Sequence, residues 1–278
     1  MTAATACRPS RRRHRNGRWR AVAISIIATL TVACATPPQR SALAAWSPSP
    51  NHNARQAQWI VLHHTQMDSF DAALATLKSA NDHGRVSAHY LIGDDGRIAQ
   101  LVDERERAWH AGVGQWRGMT DLNDVSIGIE LDNDGVEPFS DAQITALLRL
   151  LDDLCARLDI PRTAVIAHAD LAPTRKADPS AQFPWARLAK AGFGEWPRDD
   201  APPAPEGFDP VLALALMGYD VSDLPAALAA FRRRFRGMET ALPGASPGGG
   251  ASVEAASGGF DDEDRRVLFD LQQQRLGR

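Results

Sequence analysis

The sequence predicts an α/β or α+β layered domain followed by a small helical module, and three observations carry that expectation. Between about Gln58 and Trp196, short apolar runs of strand length alternate with stretches of helical periodicity. A Pro-rich break, Pro197 to Pro205, closes that region. Beyond it only amphipathic helical segments are legible, near 210–218, 223–236 and 261–275. A chain of 278 residues, 44% hydrophobic and 23% charged, is long enough for one full domain and a small second one. Its apolar content is too high for a chain disordered throughout, and no period marks a repeat array.

Residues 1–33 contain seven arginines and no acid, so the chain from Cys34 onward carries 24 basic and 34 acidic groups. That acidic balance excludes nucleic acid as the main partner, because phosphate binding needs a basic face. After Arg20 comes an apolar run, Ala21 to Ala33. Thirteen residues suit a signal-peptide core but fall short of the ~20 that span a bilayer. Thr31-Val32-Ala33-Cys34 resembles the lipobox of bacterial lipoproteins, with Thr31 in place of the usual Leu. Residues 1–33 are therefore expected to be a signal peptide and Cys34 the lipid-anchored residue, with 34–57 as a polar, Pro-rich tether. Ala35 after the cysteine fits the outer-membrane sorting pattern, which implies an outer membrane lipoprotein facing the periplasm. Ordinary secretory cleavage nearby is the alternative.

The expected strands follow in order: Trp59–Leu62, Ala88–Ile92, Ile98–Val102, Val125–Leu131 and Ala164–Ala167. Gly93-Asp-Asp-Gly96 reads as a hairpin turn, since Gly and Asp accept positive φ. The strongest helix runs from Asp141 to Leu158, opened by Ser140 with Gln143 in capping-box spacing and stopped before Pro161. Its stripe Ile144, Leu147, Leu151, Leu154, Leu158 includes Cys155, which reads as a core thiol. With Cys7 in the signal and Cys34 lipidated, no disulfide framework exists. In the C-terminal module, 243–259 is dominated by Gly, Ala, Ser and Pro and reads as a flexible insertion. The cluster Arg232, Arg233, Arg234, Arg236 reads as a solvated helix face.

The chemistry-bearing residues lie at strand ends. Trp59–Leu62 runs straight into His63-His64-Thr65, and Ala164–Ala167 runs straight into His168. Both strands are apolar at consecutive positions, as strands covered on both faces are. Ligands gather at the strand ends of open sheets, so the two can meet in one site. The loop after His168 can fold Lys176 and Asp178 back toward the strand end. Two histidines and one carboxylate suit a catalytic zinc with an open fourth position for water. In Val125–Leu131, alternation puts Ser126, Gly128 and Glu130 opposite Ile127, Ile129 and Leu131. Glu130 is a candidate general base, and Gly128 leaves room above it for a substrate; a solvent-facing Glu is the competing reading.

Five ordered motifs then carry a resemblance: Ile60-Val-Leu-His-His-Thr65, Ser87-Ala-His-Tyr-Leu-Ile92, Ala108-Trp-His-Ala-Gly112, Asn123-Asp-Val-Ser-Ile-Gly-Ile-Glu-Leu131 and His168-Ala-Asp-Leu-Ala-Pro-Thr-Arg-Lys-Ala-Asp-Pro179. Over roughly 58–196 the chain resembles the zinc-dependent N-acetylmuramoyl-L-alanine amidases of type 2, lipoprotein branch, relatives of the peptidoglycan-recognition proteins. The resemblance implies a mixed central sheet flanked by helices and one Zn2+ per chain, held by His63, His168 and Asp178. It implies Glu130 as catalytic acid/base, Lys176 as the oxyanion-steadying residue, and peptidoglycan or muropeptides as substrate. His64 and Trp109 are expected to touch substrate. His89 and His110 stand open between lining the pocket, supporting the metal ligands from behind, and serving as core histidines. Residues 206–278 resemble a helical peptidoglycan-binding module, from which the Gly-rich insertion departs. The rival is a non-catalytic peptidoglycan-recognition module, which typically lacks a zinc ligand.

Overall fold

A computed structural model describes residues 40–54, 57–81, 84–239 and 259–277. The signal peptide, Cys34, His83 and nearly all of the Gly-rich insertion lie outside the described residues. Among the described residues, no helix is long and apolar enough to cross a membrane.

The apolar runs form a six-stranded mixed sheet: β1 (Ala45–Trp46), β2 (Trp59–His64), β3 (Tyr90–Ile92), β4 (Ile98–Gln100), β5 (Ser126–Leu131) and β6 (Val165–Ala167). Their spatial order is β1-β4-β3-β5-β2-β6. Only β3 and β4 pair antiparallel; every other neighbour is parallel. The β3–β4 hairpin turns through Gly93–Gly96, with Gly96 at φ +82 and its N–H donating to Gly93 O. Burial at every position of β2 and β6 follows from cover on both sheet faces. β1 extends the sheet with residues that were read as tether: Ser47 N–H bonds Gln100 O and Ser49 N–H bonds Leu101 O.

The helix Asp141–Leu158 has the expected bounds. Ile144, Leu147, Leu151 and Leu154 are fully buried in one core cluster with Ile60, Leu62, Ile127 and Ile129. Ser140 caps it by accepting from Gln143 N–H, but the Gln143 side chain does not complete a capping box: it donates to Ile92 O and Asp132 O, bridging the ends of β3 and β5. The helix ends at Asp159, at φ +54 in the left-handed region, two residues before Pro161. Cys155 is buried, and burial pushes its thiol up to about 11. A helix the sequence did not reveal, Phe70–Lys78, covers a second cluster with Leu91, Ala99 and Leu101.

The C-terminal helices Pro210–Met217, Leu224–Arg236 and Asp262–Arg275 match the three amphipathic segments. Leu214, Met217, Phe231, Leu268 and Leu271 belong to the same core cluster as the sheet. The arginine cluster is not a solvated face: Arg232, Arg233 and Arg234 are each less than 5% exposed. They are buried because acids meet them. Arg232 pairs with Asp264 at 2.5 Å, Arg233 with Glu239 at 2.9 Å, and Arg234 with Asp170. Asp170 also accepts from Tyr219 Oη at 2.6 Å and from Ala167 N–H at 2.9 Å. This buried cluster joins the helical segment to the turn that carries His168.

Candidate metal centre and active site

Strand register assembles the site. In the parallel pairing of β2 with β5, His63 lies directly beside Glu130; in that of β2 with β6, Leu62 lies beside Ala167, one residue before His168. The carboxyl ends of three adjacent parallel strands thus deliver Glu130, His63 and His168 to one place. Asp178 arrives from the loop. Lys176 N–H and Arg175 N–H both bond Ala172 O, turning the chain back, and Ala169 N–H then bonds Asp178 O at 2.9 Å.

Three ligand atoms converge. His63 Nδ1 lies 2.9 Å from His168 Nδ1 and 3.2 Å from Asp178 Oδ2, and His168 Nδ1 lies 2.9 Å from the same Oδ2. Outer contacts show which proton each ring carries. His168 Nε2 is 2.9 Å from Ala111 O, a carbonyl that can only accept, so His168 Nε2 bears a proton and, in the neutral ring, Nδ1 presents the lone pair. Burial and the neighbouring His168 pull His63 down to about 4, so it is neutral near pH 7. Burial alone would raise Asp178, but His168 and His63 outweigh it and hold it well below the usual carboxylate range. Lone pairs and a carboxylate aimed at one point are what a cation, not a hydrogen bond, satisfies. Among the described residues His63, His168 and Asp178 form the group able to hold a metal ion.

Glu130 stands beside this triad. Its Oε2 is buried without a hydrogen-bond partner, and burial with the nearby Asp178 charge pushes its carboxyl up to about 8. It lines an open cleft of about 170 Å³ with His64, Thr65, Trp109, Lys176 and the triad.

The members of the His63-His64 pair diverge. His64 Nδ1 accepts from Ser180 N–H at 3.2 Å, while its Nε2 is buried without a partner. Half-buried Trp109 likewise keeps Nε1 without an acceptor. His89 is committed to the backbone: Nδ1 accepts from Gly128 N–H and Nε2 meets Glu106 O. The room expected above Gly128 is filled, because a Cβ there would lie 2.4 Å from His110 Cγ. From sequence alone His110 stands open and Arg234 reads as part of a solvated helix face, while Asp170 and Tyr219 have no expected role; an acid two residues after a strand-end histidine is the available signal for Asp170.

With the geometry in view, the comparisons agree with it. Residues 53–181 match the family model described as N-acetylmuramoyl-L-alanine amidase. The chain is 45% identical over 188 residues to the N-acetylmuramoyl-L-alanine amidase AmiD of Escherichia coli K12, covering 58% of this chain and 66% of that protein. It is 43% identical over 104 residues to the 1,6-anhydro-N-acetylmuramyl-L-alanine amidase AmpD of Haemophilus influenzae, covering 37% and 56%. The chain thus spans between about half and two thirds of the length of these curated relatives. Among solved structures it is similar to AmiD from Escherichia coli in complex with the substrate anhydro-N-acetylmuramic acid-L-Ala-D-gamma-Glu-L-Lys. The TM-score is 0.62 and the identity 36%, covering 85% of this chain and 93% of that one.

Proposed function

The chain belongs to the N-acetylmuramoyl-L-alanine amidase family, and from that premise we propose that it hydrolyses the amide joining the lactyl group of N-acetylmuramic acid to L-alanine in peptidoglycan or muropeptides. The observation that carries this reading is the convergence of His63 Nδ1, His168 Nδ1 and Asp178 Oδ2 beside Glu130, its carboxyl unpartnered in a cleft. The donor set, two imidazoles and one carboxylate, suits one zinc ion. Zinc bound at such a triad acts as a Lewis acid that polarises a carbonyl and acidifies water.

The chain's own groups do the rest. Glu130 takes a proton from the attacking water and returns it to the leaving amine of alanine. A carboxyl titrating near 8 can both accept and release that proton around neutral pH. Lys176 lends its ammonium charge to the oxyanion of the tetrahedral intermediate, an interaction strongest in the transition state. His64 and Trp109 line the cleft and each carries a donor without an acceptor, Nε2–H and Nε1–H, suited to substrate carbonyls or hydroxyls.

The same reading takes residues 1–33 as a lipoprotein signal peptide and the stretch between acylated Cys34 and β1 as a tether, which holds the enzyme at the outer membrane facing the periplasm. Residues 58–196 are the amidase region and 206–278 a helical module that resembles a peptidoglycan-binding one. Mass spectrometry of purified sacculi after digestion tests the activity. Free stem peptides with an L-alanine amino terminus, together with glycan whose muramic acid residues carry free lactyl carboxylates, are the expected products. Binding without cleavage, or cleavage at another bond, would contradict it.

A further inference from the structure

Strand β5 presents Ser126 and Gly128 on the face it shares with Glu130, and neither has a place in the chemistry above. Both touch His110. The His110 ring packs edge-on to His63, and its Nδ1 lies 3.0 Å from His63 Nε2. On the far side, Ser126 Oγ lies 3.4 Å from His110 Nε2 and donates to Leu122 O. A main-chain carbonyl only accepts, and that fixes the direction of the whole line. Ser126 spends its proton on Leu122 O, so its oxygen accepts from His110 Nε2–H. His110 Nδ1 then accepts from His63 Nε2–H, and His63 keeps its lone pair on Nδ1, aimed at the triad. Gly128 makes the line sterically possible, since a Cβ there would occupy the His110 ring. Asn123 pins the segment: its Oδ1 accepts from His110 N–H at 2.9 Å and from Ala111 N–H at 2.8 Å. The next carbonyl, Ala111 O, receives His168 Nε2.

We infer that His110 is a positioning residue for the metal, holding His63 in the tautomer that binds through Nδ1, with Ser126 setting the direction of the line and Gly128 reserving its space. This inference rests on the metal reading of the triad. A ligand histidine's outer hydrogen-bond partner is typically worth 10–100-fold in metal affinity.

The test is zinc affinity of the full chain, read by competition with a chromophoric chelator, with thermal melts of the metal-free proteins as the folding control. His110→Ala is expected to weaken zinc by ~10–100-fold. His110→Asn, whose amide oxygen can sit where Nδ1 sat, should restore most of it. Ser126→Ala should weaken zinc by less than His110→Ala does. Gly128→Ala should resemble His110→Ala, and the pair Gly128→Ala/His110→Ala should bind zinc no worse than His110→Ala alone, because the ring that clashes is gone. A folded His110→Ala protein with wild-type zinc affinity would overturn the inference, as would additive losses in the double variant. Should His110→Ala fail to fold, Ser126→Ala decides, and wild-type affinity there would overturn it. A wild-type chain that binds no zinc would instead refute the metal reading itself.

Discussion

Removing the Arg234 guanidinium tests whether the C-terminal helices and the turn carrying His168 are one cooperative structure. Asp170 is fully buried and Arg234 is 4% exposed. Arg234 Nη1 meets Asp170 Oδ2, and Nη2 donates to Val165 O at 3.0 Å, on the strand that leads to His168. Arg234→Met keeps the apolar stem but leaves Asp170 buried, with only Tyr219 Oη and Ala167 N–H as partners. Breaking a buried ion pair from one side costs about 3–5 kcal/mol, because the remaining charge is uncompensated. For a protein of about 150–250 residues each kcal/mol moves Tm by about 2–4 °C, so a loss of roughly 6–20 °C is expected in a calorimetric melt. Removing both charges in Arg234→Met/Asp170→Asn should recover at least half of that loss, since a neutral pair leaves no stranded ion. An Arg234→Met protein within about 1 kcal/mol of wild type would refute the reasoning, as would a double variant less stable than the single.

Three further outcomes are expected. In the metal-free protein Glu130 titrates at about 8 against 4.5 ordinarily, so the folded state holds a proton that the unfolded state has lost. Its stabilising contribution is complete below pH 4.5 and is lost as pH rises through about 8; relative to Glu130→Gln, wild-type stability should fall over that window in denaturant titrations, and a constant difference would contradict the assignment. His63→Ala should lose most bound zinc while His64→Ala keeps it, by elemental analysis of dialysed protein; the reverse would show that the wrong member of the pair was taken as ligand. Cys34→Ala should shift the protein from the membrane to the soluble periplasmic fraction, and a wild-type chain that is already soluble and unlipidated would remove the anchor.

The sequence carried those parts of the fold that follow from periodicity within one segment. Trp59–Leu62 and Ala164–Ala167 read as doubly covered strands because every position is apolar, and Asp141–Leu158 because its stripe and its Ser140 cap agree. The short edge strand Ala45–Trp46 was not legible, since two residues show no period and it is recruited by backbone bonds to β4. The triad was legible because strand ends point to one edge of a sheet, but the register that sets His63 beside Glu130 exists only between strands. The arginines from Arg232 to Arg234 misled for a related reason. A charge run reads as solvated unless its partners are known, and Asp170 and Asp264 lie 64 and 32 residues away. The glycine at 128 was read as space for substrate, when the space belongs to an imidazole from another segment.

The central claim is that Glu130 moves the proton while His63, His168 and Asp178 hold the metal, and turnover of Glu130→Gln on a defined muropeptide, measured beside its zinc content, tests it most directly. The amide keeps the shape of the carboxylate but cannot accept the proton of water. Turnover should fall by about 10²–10⁴-fold with zinc content unchanged and substrate still bound. Near-normal turnover in a fully zinc-loaded Glu130→Gln protein would contradict the account.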